Sequence, residues 1–292
     1  MNSRPVYVST GGLPVKNLTA MLSAAERLGI GHVELGSGVP YAADNADIAR
    51  RYSKRIRLLA HNYFPAPRNP FVLNLAALDS EIRSLSLDHC RRAIQLNADL
   101  GAPFYSVHAG FAAHPRPEHL GRAIDPSSAI PREDAYRMFG ETVKILLDDA
   151  DKAGISLFIE NNVVSLNNLL NGRNAMLLLA EPEEIVRFIA EINHPRFGVL
   201  MDVGHLKVSA CTLGFDAGAA LEALLPQVRA FHLSDNNGLV DSNRPFGADA
   251  WFMPALTRAR DAHVTIELGR ATEQEALGTL GVVRSVLDAN IS

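Results

Sequence analysis

Phe197-Gly198-Val199-Leu200-Met201-Asp202-Val203-Gly204-His205 reads as a short buried strand that stops on a carboxylate. An apolar run of this length suits a parallel strand covered on both faces. The same pattern recurs along the chain. Ser156–Glu160 closes on Glu160, Phe104–His108 on His108 and Arg57–His61 on His61. Val264–Leu268 carries Glu267 near its end, and Val228–Leu233 carries His232 just inside its end. Val6–Ser9 and His32–Leu35 bring the strand candidates to eight. Stretches of helical period separate them. Ile82, Leu85, Ala93, Leu96 and Leu100 form one apolar face, and Ala135, Phe139, Val143, Leu146, Ala150 and Ala153 form another. Gly154 follows the second face where a helix C-terminus favours glycine, and Pro182-Glu183-Glu184 marks a helix start. A final helix is expected from about Glu273 to Asn290. Eight strands alternating with eight helices is the count of an α/β fold closed into a single (β/α)8, or TIM, barrel.

Length and composition agree with one large domain. The chain has 292 residues, 47% hydrophobic and 21% charged, enough to bury a large core. A barrel of this kind uses about 250 residues. The excess fits loop extensions near 109–131 and 161–181, which follow strands ending in His108 and Glu160. A doubly wound open sheet would need a glycine-rich phosphate turn after an early strand, and Gly11-Gly12 lacks that spacing. The net charge of −4 argues against a general nucleic-acid or anionic-membrane binder. Cys90 and Cys211 are too few for a disulfide framework and suit a reducing cytoplasm. Apolar runs such as Ala175–Ala180 fall far short of the ~20 residues that span a bilayer. Met1–Gly11 lacks a charged start followed by a long apolar run, so no signal peptide is expected.

In a (β/α)8 barrel the C-terminal strand ends form the mouth where active sites are built. His61, His108, Glu160, Asp202, His232 and Glu267, with His205 three residues beyond Asp202, therefore converge although they are far apart in sequence. Clustered carboxylates repel one another and stay protonated unless a cation compensates them. One divalent ion held by Glu160, Asp202, His232 and Glu267 is the simplest compensation, and a mixed oxygen and imidazole set suits Mn, Mg, Co or Zn. His61 and His108 stand open between substrate contact, extra ligand and ordinary rim histidine, and Glu34 is an intermediate case. His32, His89, His114, His119, His194 and His263 read as structural or solvated, and Trp251 as packing. A single Cys211 without a resolving partner reads as inert.

Four motifs carry a family resemblance: Phe158-Ile159-Glu160-Asn161-Asn162, Met201-Asp202-Val203-Gly204-His205, Phe231-His232-Leu233-Ser234-Asp235-Asn236-Asn237-Gly238 and Ile266-Glu267-Leu268-Gly269. They resemble the xylose isomerase-like TIM-barrel superfamily, and most of all its sugar (phosphate) isomerase/epimerase branch, over nearly the whole chain. The resemblance implies a metal-dependent isomerase or epimerase of a small sugar-like carbonyl compound, and the composition suggests a cytoplasmic one. It implies Glu160, Asp202, His232 and Glu267 as metal ligands, His205 as a contact to substrate oxygens, and Glu160 and Glu267 as the proton-transferring pair. That chemistry is consistent physically: a cation polarises a carbonyl and stabilises the enediolate while carboxylates remove and return a proton.

His61, His108, His205 and Arg244 are the expected substrate contacts. Arg244 and Arg270 follow the seventh and eighth strands and are candidates to meet a phosphate or carboxylate, or are plain surface arginines. No glycine-rich phosphate cradle is evident, which favours a non-phosphorylated sugar. A dehydratase using the same first step is an alternative, as is a non-catalytic sugar-binding barrel. A third is the endonuclease-IV-like branch with its three-zinc site. There the sequence departs, reading Asp241-Ser242-Asn243 where that branch has an Asp-x-His pair. The expected partner is a small molecule, with no nucleic acid and no membrane, and relatives commonly form homo-oligomers.

Overall fold

The computed structural model describes residues 4–13, 17–117 and 124–289. Eight parallel strands form its centre: β1 (Val6–Ser9), β2 (His32–Leu35), β3 (Arg57–Ala60), β4 (Phe104–His108), β5 (Ser156–Glu160), β6 (Phe197–Asp202), β7 (Val228–Leu233) and β8 (His263–Ile266). They run side by side in the order β3-β2-β1-β8-β7-β6-β5-β4. The two end strands meet through a parallel bridge between His61 and Ser106, where the Asn62 amide donates to the Ser106 carbonyl at 2.7 Å. The sheet thus closes into the expected (β/α)8 barrel, with a short seam between β3 and β4.

Helices α1 (Leu18–Arg27), α2 (Asn45–Tyr52), α3 (Ser80–Leu100), α4 (Arg132–Ala153) and α5 (Pro182–Ile192) follow the first five strands in turn. The connection from β6 to β7 holds two helices, α6 (Val203–Leu213) and α7 (Ala217–Leu224), where the sequence count allowed one. Gly214, left-handed at φ 82°, ends α6, and Asp216 caps α7 by accepting from the Ala219 amide. Helices α8 (Met253–Arg258) and α9 (Glu273–Ala289) complete the ring. Gly154 closes α4 and Pro182 opens α5, as expected. Among the described residues no helix is long and apolar enough to cross a membrane.

Strand alternation divides the core. Val8, Val33, Leu58, Tyr105, Leu157, Met201, Phe231 and Val264 face the helices in one large apolar cluster. The intervening residues Tyr7, Leu59, Phe104, Phe158, Leu200 and Ala230 fill the barrel interior as a separate cluster. His263 tilts onto Phe104 with ring centroids 4.8 Å apart, and His32 meets the edge of Tyr7 at 5.2 Å. Both histidines are structural, as their positions at strand starts suggested.

The two expected extensions pack against one another. The Ala112 amide donates to the Met176 carbonyl at 2.7 Å, and Phe111 bridges Leu177 in antiparallel fashion. Ala113, Ile124, Val164, Met176, Leu177 and Ala180 form a small apolar cluster beneath them. Residues 118–123 of the first extension, His119 among them, lie outside the described residues. A third long connection, between β3 and α3, was not anticipated. It seats against the first extension so closely that a Cβ on Gly110 would lie 2.6 Å from Ala76 Cβ.

Candidate active site and metal centre

Side chains two residues apart on a strand share a face. Two residues above the inward-facing Leu59, Phe158, Leu200 and Ala230 stand His61, Glu160, Asp202 and His232. The polar cluster is therefore the next interior layer, resting on an apolar plug. Glu160, Asp202 and His232 are each 0–1% exposed. Glu267 follows β8 and stays in register because its amide donates to the Leu233 carbonyl at 3.0 Å. One nitrogen or oxygen from each of Glu160, Asp202, His232 and Glu267 lies within 4.8 Å of all the others.

Several of these atoms lack the hydrogen bonds that buried polar groups require. His232 Nδ1 approaches Glu267 Oε2 to 2.7 Å and Glu160 Oε1 to 3.3 Å without lying in line for a hydrogen bond. Both Glu160 oxygens and Asp202 Oδ2 are likewise buried without a hydrogen-bond partner among the described residues. Asp202 uses its other oxygen, Oδ1, to accept from the His205 amide at 2.7 Å and cap α6. Orphaned donors converging from carboxylates and an imidazole are what a divalent cation satisfies, and the residues present fit one.

The same crowding sets the charge states. Burial and then the neighbouring carboxylates Asp241, Glu160 and Glu267 push the Asp202 carboxyl up to about 7, with the His205 imidazole opposing them. Burial also opposes the charge on Glu160, but the facing imidazoles of His108, His232 and His61 outweigh it and hold that carboxyl well below its usual range. Glu267 is lowered in the same way, chiefly by His232. His205 and His232 are raised well above the ordinary histidine value in spite of burial, by Asp202 and Asp241 in one case and Glu34 and Glu267 in the other. His108 goes the opposite way, down to about 4, because burial dominates.

His61 and His108 join the cluster through Glu160. Their Nε2 atoms lie 3.1 and 3.4 Å from Glu160 Oε2, forming a second group of possible cation ligands. His61 Nδ1 is 2.8 Å from Ser106 Oγ, which fixes its ring across the seam. His205 Nδ1 lies 2.9 Å from the Asn161 carbonyl, and its Nε2 lies 3.2 Å from Asp241. Arg244 is the expected contact that does not converge. It is exposed, its backbone pairs with Asp235, and it is absent from the lining of the adjacent cavity. Asn243 is engaged by Ser234 Oγ at 3.2 Å.

Two residues matter more than the sequence indicated. Glu34, fully buried in β2, sets Oε2 3.1 Å from His232 Nε2 and accepts from Thr265 Oγ1 at 2.9 Å. It occupies one ring nitrogen and so turns the other toward the cluster. Glu34→Gln is expected to weaken divalent-metal affinity about 10–100-fold in a metal-buffered titration, and an unchanged affinity would reject this orienting role. Asp241 is the other, reached from the long β7–α8 connection. The sequence marked it only as a position matching the endonuclease-IV-like branch, in Asp241-Ser242-Asn243, and not as a contact of the isomerase site.

A cavity of about 470 Å³ opens beside the cluster, and His108, His205 and Asp241 are among the residues that line it. The carboxylates and imidazoles thus stand inside the C-terminal mouth, where barrels of this fold build their active sites. The sequence profile of the xylose isomerase-like TIM barrel family matches residues 21–280, and the chain belongs to that family. The structure is similar to a D-tagatose 3-epimerase-like protein (TM-score 0.74, 18% identity, covering 98% of each chain). It is also similar to the 3-keto-D-glucoside 4-epimerase of E. coli (TM-score 0.70, 14% identity, covering 97% of this chain and 99% of that one). At these identities the likeness is one of fold. Among curated sequences an uncharacterized protein of Methanocaldococcus jannaschii is 22% identical over 175 residues, 60% of this chain. The matched region spans about half, 52%, of that relative's length.

Proposed function

We propose that the chain is a metal-dependent isomerase or epimerase of a small polyhydroxy carbonyl compound. The observation that carries this reading is the convergence of Glu160, Asp202, His232 and Glu267, with orphaned buried oxygens, inside the mouth of the barrel. The names of the two structural neighbours, both sugar epimerases or epimerase-like, support it. These four residues would hold the ion, while His61, His108 and His205 would meet substrate oxygens. Arg244, outside the cavity lining, has the least geometric support as a contact. When bound, the ion supplies positive charge to a substrate carbonyl and so acidifies the adjacent C–H bond.

Glu160 and Glu267 would then transfer protons. One carboxylate takes the proton beside the carbonyl, the C–H electron pair becomes a C=C bond, and the carbonyl π pair moves onto oxygen. In epimerisation the partner glutamate, once it has taken up a proton from solvent, gives that proton to the opposite face of the same carbon. In isomerisation the former carbonyl carbon takes the proton, the hydroxyl on the first carbon gives its proton to the old carbonyl oxygen, and the C=C pair becomes the new C–H bond as the new carbonyl forms. The configuration of the substrate decides which glutamate acts first. The same opening step serves a dehydratase, in which hydroxide then leaves from the next carbon.

Incubating metal-loaded protein with ketoses, keto acids and inososes in deuterated water tests this reading. Metal-dependent deuterium incorporation beside the carbonyl is expected, and no exchange with any of them would reject the mechanism. One observation favours a second reading, a multi-metal nuclease: His61 and His108 converge on Glu160 as a further ligand group. The Asn243 amide and the net charge of −4 weigh against it. One bound ion per chain supports the isomerase and three zincs the nuclease.

A further inference from the structure

The cavity beside the cluster has a mixed lining. His108, His205 and Asp241 stand together in it. Tyr63 packs on Phe71 and Phe111 pairs with Leu177, and with Val72 and Leu73 they make up most of its apolar wall. Two of the polar side chains in the lining, Tyr63 and Asn162, are already engaged within the protein. Tyr63 Oη donates to the Phe71 carbonyl and accepts from its amide, both at 2.7 Å, so the phenol has little left for a ligand. The Asn162 side-chain nitrogen donates to the Ala109, Gly110 and Leu178 carbonyls. Asn62, a lining residue beside His61, has its Oδ1 buried without a hydrogen-bond partner among the described residues.

No lysine or arginine occurs among the described lining residues. A phosphate or carboxylate there would be desolvated with no strong cationic partner. A sugar hydroxyl pressed against the wall would lose its water without a replacement. The apolar surface also continues outward at Leu166, Leu239 and Val240, which are 66, 62 and 55% exposed on the connections that flank the mouth.

We propose that the substrate is a neutral keto-sugar bearing an apolar aromatic or alkyl substituent, a ketoglycoside rather than a free sugar or a sugar phosphate. The sugar ring lies over His108 and His205, and the substituent lies against the wall that runs from Tyr63 to Leu73 and on to Phe111. This rests on reading the site as a sugar isomerase or epimerase.

Calorimetric titration of the metal-loaded protein with four probes tests it: phenyl and methyl 3-keto-β-D-glucosides, 3-keto-D-glucose and its 6-phosphate. The phenyl glucoside is expected to bind at least about tenfold more tightly than the methyl glucoside, with the phosphate weakest. Phe111→Ala and Leu73→Ala, on two different connections, should each bring the phenyl-to-methyl ratio close to one. Equal affinity for the two glucosides, tightest binding of the phosphate, or no measurable phenyl binding would overturn the proposal. Deuterium exchange with the same probes separates the two levels. Exchange without a phenyl preference rejects the ketoglycoside and keeps the isomerase or epimerase. A phenyl preference without exchange keeps the apolar subsite and rejects the proton-transfer chemistry.

Discussion

Glu267→Gln is expected to lower turnover by about 10²–10⁴-fold, the range typical of removing a positioned acid or base. Gln keeps the size of the side chain and one oxygen that can face a cation. It cannot take a proton beside a carbonyl at neutral pH. The side chain is the most accessible of the four proposed ligands, about a quarter exposed and 2.7 Å from His232. Loss of a ligand would also weaken metal binding, so the variant is to be assayed with its metal content measured at saturating Mn²⁺. Full occupancy with turnover near that of the unaltered protein would reject Glu267 as acid or base. Full occupancy with turnover lost assigns it to the chemistry.

Stripping the metal is expected to make stability fall as pH rises above about 6.5, and refilling the site should abolish that fall. The Asp202 carboxyl, raised to about 7 by burial and then by Asp241, Glu160 and Glu267, binds its proton more tightly when folded than unfolded. Its contribution is present below the unfolded value and is lost as pH climbs through about 7. His205 and His232 are raised well above the ordinary value by facing carboxylates, so their contribution is lost higher still. His108 and His89, both lowered to about 4 by burial, favour the folded state as pH rises from there to about 6.5, so the decline emerges above that point. Glu160 and Glu267, held low, lose their contribution only in acid. A divalent ion supplies the charge that proton loss removes. Chelated protein should melt lower by about 5 °C or more between pH 6.5 and 8.5, measured calorimetrically, while the Mn²⁺ form stays level. A flat profile for the chelated protein would refute the account.

The barrel could be read from the sequence because its strands are short apolar runs ending on ionisable residues, and period-two alternation then places those residues inside. Glu160, Asp202 and His232 follow directly from that rule. Glu34 obeys it too, two residues after the inward His32, but a single carboxylate in His32–Leu35 resembles a helix cap until His232 is seen against it. The second helix before β7 had local signals in Gly214 and Asp216, which a count of one helix per strand passed over. The cavity wall was hidden for a different reason. Tyr63, Phe71, Phe111 and Leu177 come from irregular connections, where no periodicity predicts which side chains will meet.

The seam between β3 and β4 gives His61 two tasks at once. Its backbone bridges Ser106 to close the barrel, its Nδ1 lies against the Ser106 hydroxyl, and its Nε2 faces Glu160. Mechanical closure and chemical occupancy are thereby joined at one imidazole. The residue that closes the barrel on one face therefore meets the site on the other, and His61→Ala would remove both the Ser106 contact and the imidazole facing Glu160.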